Sequence, residues 1–449
     1  MAMLLNKKFF LLVTILTLTL TACNMPTTVD LPAATPTIIA DPQPNATSPS
    51  VATATLPPTP EPIEHRIGVR VVDGVGEFFD RQTGEKFVPR GSNYIRLDPQ
   101  PRDDGTMQVF HSVFDPEYYD PEEITAAFTE MQSLGFNTVR VFLSQNTIVR
   151  DYTLDDAYMQ NIIDFLDIAK EYGQFAIFTI DWMPGGKYGE ILSGDCCELF
   201  NSFNANTLPN AGLQANKAFF LDFITYLIDH NAAMDMVFSI QLRNELFYEM
   251  NVPPLSLSSG LVTGANSETY DMSIPEDKTR MADEVMVYWI DTLADEIRAV
   301  DPTMLVSTGF FWPQEPNPTR IGDLRYINTI PAIWETNLDF IDLHPYPGYE
   351  LSLKQYAENF GINGMQEKPI LMGEFGLNTS YTNSINTAAT VLTNWQVESC
   401  DYGFDGWLLW TWDFLDNNEF FSAKSGEGQI AQALAPINRP DPCSVEGSN

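Results

Sequence analysis

An α/β barrel of eight strand–helix units is the fold this sequence predicts, and three observations predict it. Eight short apolar runs recur between Val88 and Trp412. Their interiors are continuously apolar, as in parallel strands covered on both faces. The stretches between them carry apolar residues at spacings of three and four, the helical period. Over residues 66–449 these make a (β/α)8 TIM barrel, with a short N-terminal β-hairpin and long loops after its strands. A doubly wound open sheet is the competing arrangement, but it would carry a Gly-rich turn after the first strand, and none stands there.

The hairpin is read from alternation over Val69–Phe79 and Lys86–Pro89, around the turns Asp73-Gly74 and Thr83-Gly84. The strands are Val88–Ile95, Asn137–Leu143, Phe175–Asp181, Met236–Leu242, Met304–Phe310, Phe340–His344, Pro369–Gly373 and Gly406–Trp412. The helical stretches are Pro121–Leu134, Asp155–Tyr172, Leu213–Asn231, Arg280–Val300 and Ile385–Cys400. Two long segments rich in Asn, Ser, Pro and Gly, Met183 to Leu213 and Leu246 to Thr279, follow the third and fourth strands and should rim a cleft.

Ahead of the barrel, Lys7 and Lys8 precede an apolar run from Phe9 to Leu20. That run is short of the roughly 20 residues a membrane-spanning helix needs. Residues 1–22 read as a signal peptide. Asn24 to Glu64 holds ten of the 31 prolines and no Gly, Lys, Arg or aromatic residue. Such a stretch cannot bury a core, so residues 23–65 are expected to be a disordered, semi-rigid linker.

Composition narrows the function. Sixty acidic against 24 basic residues give a formal net charge of −36. That field repels phosphate backbones and acidic polysaccharides, which argues against nucleic acid and favours a neutral partner. Eight Trp and 17 Tyr suit sugars, whose apolar faces pack on aromatic rings. The four histidines form no His-x-His or His-x-x-x-His pair, so neither a metal nor a cofactor is expected.

A TIM barrel builds its active site at the C-terminal ends of its strands. In order, those ends carry Asn93-Tyr94, Arg140, Asp181-Trp182, Asn244-Glu245, His344-Pro345-Tyr346, Glu374 in Gly-Glu-Phe-Gly, and Trp410 with Trp412. Two carboxylates facing each other over the barrel mouth could divide the work of glycosidic cleavage, one donating a proton and the other attacking. Arg140, a charge inside the apolar run Val139–Leu143, requires an acidic partner.

At these strand ends the chain resembles the clan A retaining glycoside hydrolases, most closely family 5, the cellulase- and mannanase-like enzymes. The resemblance spans roughly Gly68 to Asp413. It implies Glu245 as the acid/base, Asn244 as a contact for the sugar 2-hydroxyl, and Glu374 as the nucleophile. Arg140, His344 and Tyr346 match the supporting positions, and Trp410 or Trp412 the sugar platform. Arg140 and Tyr346 should hold Glu374 ionised, and the charge of Glu374 should help Glu245 keep its proton. Many members of that family place a His at the end of the third strand, where this chain has Asp181-Trp182. Trp182, Tyr248 and Trp312 are further candidate platforms.

The tetrapeptide Leu20-Thr21-Ala22-Cys23 resembles a bacterial lipobox, which implies lipidation at Cys23 and a place outside the cell, anchored to the membrane by lipid alone. Barrel topology puts Cys400 and Cys443 at the bottom and predicts a disulfide between them. Cys196 and Cys197, on the top rim, are expected as a vicinal disulfide or as free thiols.

The expected function is a retaining endo-β-glycosidase acting, as a monomer, on a neutral polysaccharide or oligosaccharide, a β-glucan or β-mannan. The alternative is a non-catalytic carbohydrate-binding lipoprotein on the same barrel, against which the presence of both glutamates argues.

Overall fold

The computed structural model describes residues 64–101, 107–194, 199–311, 313, 325–349, 351–413 and 419–444. The expected signal peptide, Cys23 and the linker up to Ile63 lie outside the described residues, as do Cys196, Cys197 and Trp312.

The barrel strands are β1 (Arg90–Asn93), β2 (Thr138–Leu143), β3 (Phe175–Ile180), β4 (Val237–Gln241), β5 (Leu305–Ser307 continuing as Gly309–Phe310), β6 (Ile341–Leu343), β7 (Ile370–Phe375) and β8 (Phe404–Leu409). Every neighbouring pair is parallel. Strand β5 bends at Thr308. Its first half pairs with β4 and its second half with β6, which brings the ring round to closure as a (β/α)8 barrel. All six residues of β2 are buried, as are all six of β3 and of β7. One face meets the barrel interior and the other the helices, so continuous apolar runs rather than alternation encode them.

Among the described residues, each strand is followed by a helix of the outer ring: α1 (Pro121–Leu134), α2 (Asp156–Tyr172), α3 (Asn210–Asp229), α4 (Pro275–Val300), α5 (Thr329–Glu335), α6 (Leu353–Phe360), α7 (Ile385–Ser399) and α8 (Ser425–Leu434). Helix α1 shows why the sequence makes them. Asp120 accepts from the amides of Glu122 and Glu123, Pro121 opens the first turn, and Gly135 closes the last at φ +82°. Ile124, Ala127, Phe128, Met131 and Leu134 form its buried stripe.

Helices α5, α6 and α8 were not among the expected elements. At 7, 8 and 10 residues they show too few turns for the apolar period to stand out. A sequence signal for α6 does exist. Ser352 and Gln355 form a reciprocal capping box. The loops are also more ordered than their composition suggests. The loop after β3 holds helical turns at Gly186–Leu192 and Ser202–Thr207. The loop after β4 holds a hairpin of Leu261–Thr263 with Thr269–Asp271, and the loop after β1 one of Leu97–Pro101 with Met107–His111.

The N-terminal hairpin pairs Ile67–Val72 with Val75–Asp80, and Lys86 adds a single bridge to Phe79. Phe78 from this hairpin meets Phe238 at 5.3 Å and Phe340 at 5.2 Å, edge to face, and so plugs the barrel at the start of β4 and β6. The C-terminal tail closes the same end. Cys400 and Cys443 are joined by a disulfide, and Arg90 donates to the carbonyls of Arg439 (2.5 Å) and Leu434 (2.7 Å). With the bottom sealed twice, the opposite end is left to carry the chemistry.

Candidate active site

Glu374 is the fifth residue of β7, and its side chain is almost wholly buried. Arg140 Nη1 donates to its Oε1 at 2.7 Å, and the Tyr346 hydroxyl donates to its Oε2 at 2.5 Å. The residue before it must be glycine. A Cβ on Gly373 would lie 2.0 Å from Asp342 Oδ1.

Arg140, fully buried on β2, holds the centre together. It donates to Asn93 Oδ1 (2.9 Å), to Gln241 Oε1 from Nε and Nη2 (2.9 and 2.6 Å), and to Asn244 Oδ1 (2.6 Å). Asn93 in turn donates to the carbonyl of Gly373 at 2.9 Å. With Gln241 Nε2 donating to Asp342 of β6, five strands, β1, β2, β4, β6 and β7, meet in one hydrogen-bonded network around one guanidinium. Such a planar fork of donors is what arginine supplies and lysine does not.

Glu245, after β4, is partly open to the cleft. His344 Nδ1 stands 3.0 Å from Glu245 Oε1 and 3.6 Å from Glu374 Oε1. One oxygen of each glutamate and a His344 ring nitrogen all lie within 4.8 Å of one another. Behind His344 is Asp342, fully buried on β6, 3.7 Å from Nε2 and hydrogen-bonded by Gln241.

Electrostatics separate the roles of these groups. Burial pushes the His344 imidazole down, but Glu374, Asp342 and Glu245 outweigh it and raise the pKa to about 9, so the ring is a cation at neutral pH. Burial pushes the Tyr346 phenol well up, and Glu374 and Glu245 add to the rise, so it remains a neutral donor. For Glu374, burial raises the pKa above the usual carboxylate value, and His344, Arg140 and the Tyr346 hydroxyl pull against it. The two contacts expected to hold Glu374 ionised are in place, yet desolvation outweighs them because the carboxyl has almost no water around it.

Glu245, His344 and Glu374 have the spacing of a metal-ligand cluster among the described residues. Arg140 Nη1 stands 2.7 Å from Glu374 Oε1, so one member of that cluster is already paired with a fixed cation.

The structure thus brings Arg140, Asn244, Glu245, His344, Tyr346 and Glu374 together. Trp410 is half-buried at the edge of this group, 5.9 Å from Phe142. Trp412 is not in the cleft. It is 1% exposed, packed against Phe136 with Lys424 over its ring, and so offers no face to a sugar. Alternation fails here because regular β8 ends at Leu409. Tyr248 is likewise buried, paired with Tyr326 in a two-stranded sheet, and is not a platform. Trp182 is 36% exposed beside Phe203, which leaves it available.

Gln241 and Asp342 belong to the network but were not singled out from the sequence. Their signal is the one that marked Arg140. Asp342 stands between Ile341 and Leu343 and Gln241 ends a mostly apolar strand, both fully buried, and a buried polar group requires partners. His111 was also missed. It comes from the loop after β1 and stands 3.6 Å from Asp181.

Comparison with known proteins agrees with the barrel fold. The chain resembles the endo-1,4-beta-mannanase of Rhizomucor miehei, with a TM-score of 0.58, 15% identity, and coverage of 82% of this chain and 99% of that one. It resembles a family 5 mannosidase from the same organism with a TM-score of 0.51, 15% identity, and 82% and 96% coverage. It also resembles an exo-beta-1,4-mannosidase from Opitutaceae bacterium strain TAV5, with a TM-score of 0.50, 19% identity, and 82% and 58% coverage. At these identities the likeness is one of fold. No curated protein sequence matches the chain. The family model described as Cellulase (glycosyl hydrolase family 5) matches residues 103–416, and with two glutamates facing each other at the mouth of the barrel, the chain belongs to glycosyl hydrolase family 5.

Proposed function

We propose that this glycoside hydrolase is a retaining endo-β-glycosidase that cleaves a neutral β-mannan or β-glucan by double displacement. The observation that carries the reading is the approach of Glu245 to Glu374, oxygen to oxygen within 4.8 Å. Retaining pairs stand about 5–5.5 Å apart, whereas inverting pairs leave room for a water between them.

In this mechanism Glu374 attacks the anomeric carbon and the bond to the leaving oxygen breaks. Glu245 gives that oxygen its proton. Because His344 faces Glu245 Oε1, Oε2 is the oxygen free to deliver it. Water then attacks the glycosyl-enzyme as Glu245 takes a proton back, and Glu374 leaves. Arg140 and Tyr346 hold Glu374 at the angle of attack and stabilise the charge that returns to it. Asn244 and Trp410 are the sugar contacts. Mannan is the first substrate to try, since the structural neighbours named above act on β-mannans or mannosides. The net charge of −36 favours a neutral polymer over an acidic one.

The decisive experiment is reducing-sugar release by the purified chain from mannan, cellulose, mixed-linkage glucan, xylan and laminarin, with Glu374→Ala as control. Release from mannan or a glucan, absent in the variant and giving the β-anomer first by proton NMR, is the expected result. An α-anomer overturns retention. No release from any polymer overturns the enzymatic reading in favour of a carbohydrate-binding one.

We also propose that residues 1–22 are a lipoprotein signal, that Cys23 carries the lipid, and that residues 23–65 tether a monomeric catalytic domain, 66–449, outside the cell. The lipobox-like Leu20–Cys23 and the ten prolines behind it support this. Palmitate labelling lost in Cys23→Ser is the test.

A further inference from the structure

The end of the barrel away from the glutamates carries a groove that has no part in the catalytic network. Two adjoining cavities, of about 360 and 240 Å³, share Gly364, Met365, Gln366 and Lys368 in their lining. Their walls come from the tip of the N-terminal hairpin, the end of α5, the loop between α6 and β7, and the turn from α7 into β8. All four lie at the N-terminal ends of the strands, so the groove opens on the bottom face. The wall is close-packed where the hairpin meets the loop: Gly76 N–H donates to the Gln366 carbonyl, and a Cβ on Gly76 would lie 2.5 Å from the carbonyl oxygen of Glu367. Trp334 lines one cavity and Tyr402 the other. Trp334 is 48% exposed, yet its indole Nε1 donates to the Gly361 carbonyl at 2.9 Å. That bond fixes the plane of an open ring, which makes it a platform rather than a mobile side chain. Asn363 and Gln366 are exposed beside it, and their side-chain amides have no partner among the described residues. Lys368 is engaged by the carbonyls of Ile333 and Thr336, whereas Glu367 and Asp401 are exposed. The groove therefore offers a fixed aromatic face, unpaired amides and an acidic rim, the chemistry that suits a neutral ligand with an apolar face and many hydroxyls.

We infer that this groove is a second carbohydrate-binding site, which holds a stretch of the neutral polysaccharide that the cleft cleaves. The inference rests on the proposed glycosidase reading for the identity of the polymer, and goes beyond it in placing a binding site outside the cleft. Trp334 takes the apolar face of a pyranose, and Asn363 and Gln366 take its hydroxyls. The carboxylates of Glu367 and Asp401 turn away an acidic polymer or an anionic surface. Because the groove and the cleft open at opposite ends of the barrel, they engage different stretches of polymer. The groove thus keeps the enzyme on a polymer surface and raises its effective concentration there, without touching the chemistry.

The test uses the full-length chain, with the unfolding midpoint of each variant as a check on folding. Retention on insoluble mannan and cellulose is measured in a Glu374→Ala background, where polymer is bound but not cut. Adding Trp334→Ala should weaken retention about 10-fold, the usual cost of losing an aromatic anchor. Adding Asn363→Ala and Gln366→Ala together should weaken it about 3- to 10-fold, the range of one or two hydrogen bonds. In the active chain, Trp334→Ala should raise KM on the insoluble polymer about 10-fold and leave kcat within about 2-fold. On mannohexaose and cellohexaose, which are too short to hold both sites, both parameters should stay within about 2-fold. A loss of stability does not produce that split. Where Trp334→Ala does not fold, the Asn363 and Gln366 variants carry the test, since those amides hold nothing else. Retention unchanged by these substitutions, or a loss on the hexaoses as large as that on the polymer, overturns the site. Polymer turnover by the wild-type chain with retention indifferent to Trp334 sinks this inference and spares the glycosidase. Retention that depends on Trp334 without any turnover keeps the site and sinks the glycosidase. Neither retention nor turnover sinks both.

Discussion

Arg140 and Glu374, carried by β2 and β7, form a 2.7 Å ion pair with side-chain exposures of 0% and 5%. A buried pair of this kind adds little net stability over an apolar pair, but removing one partner strands the other. Arg140→Met should therefore cost about 3–5 kcal/mol, read from urea unfolding. It should also move the acid limb of kcat/KM upward. Glu374 must be ionised to attack, burial already raises its pKa, and Arg140 is one of the groups opposing that rise. An acid limb at the usual carboxylate value in the variant would contradict this.

The two glutamates should answer differently to azide. In Glu374→Ala the small anion replaces the nucleophile and should give an α-glycosyl azide. In Glu245→Ala it attacks the intermediate and should give the β-product. Glu245→Ala should lose about 10²–10⁴-fold on poor leaving groups and far less on dinitrophenyl glycosides, which need little protonation. Equal losses on both substrate types would remove Glu245 from the acid role.

His344 makes stability depend on alkaline pH. Its pKa is about 9 when folded against an ordinary 6.5. The contribution of its proton is therefore complete below about 6.5 and is lost as pH rises past about 9, with a size on the order of 3 kcal/mol. Urea unfolding at pH 7 and pH 10 should show a larger drop for wild type than for His344→Gln. Equal drops would mean that His344 is neutral at pH 7.

The disulfide between Cys400 and Cys443 spans 43 residues and ties the tail to the end of α7. Cys443→Ser should lower stability by about 2–4 kcal/mol with little effect on kcat, since the bond lies at the opposite end of the barrel from the glutamates. A mixed population of linear Cys400 peptides in a non-reducing digest would show that the bond does not form.

Gly373 connects fold to site. A methyl group there would put its carbon 2.0 Å from Asp342 Oδ1, so Gly373→Ala must move either β7 or Asp342, and both hold the catalytic network. The expected result is a folded chain with kcat reduced at least about 10²-fold, since a shift near 1 Å is enough for that. Wild-type kcat in this variant would show that the strands can separate without cost.

What the sequence determined by itself was everything written in periodicity and in residue type at strand ends. Strands such as β3 (Phe175–Ile180), covered on both faces, are mostly apolar and so are visible without coordinates, and the short helices α5, α6 and α8 are not because they have too few turns to display a period. Glu245, Glu374 and Arg140 were legible because a strand end in a barrel is a fixed address and a charge within an apolar run demands a partner. Tertiary structure decided the rest. Only packing separates the half-open ring of Trp410 from the buried ring of Trp412, two residues away. Only the closed ring of strands brings Gln241 and Asp342 to Arg140 and His344. Only the fold of the β1 loop carries His111 to Asp181, 70 positions further along the chain. Contacts between distant segments leave no local pattern, because each residue alone satisfies no period and breaks no rule until its partner arrives.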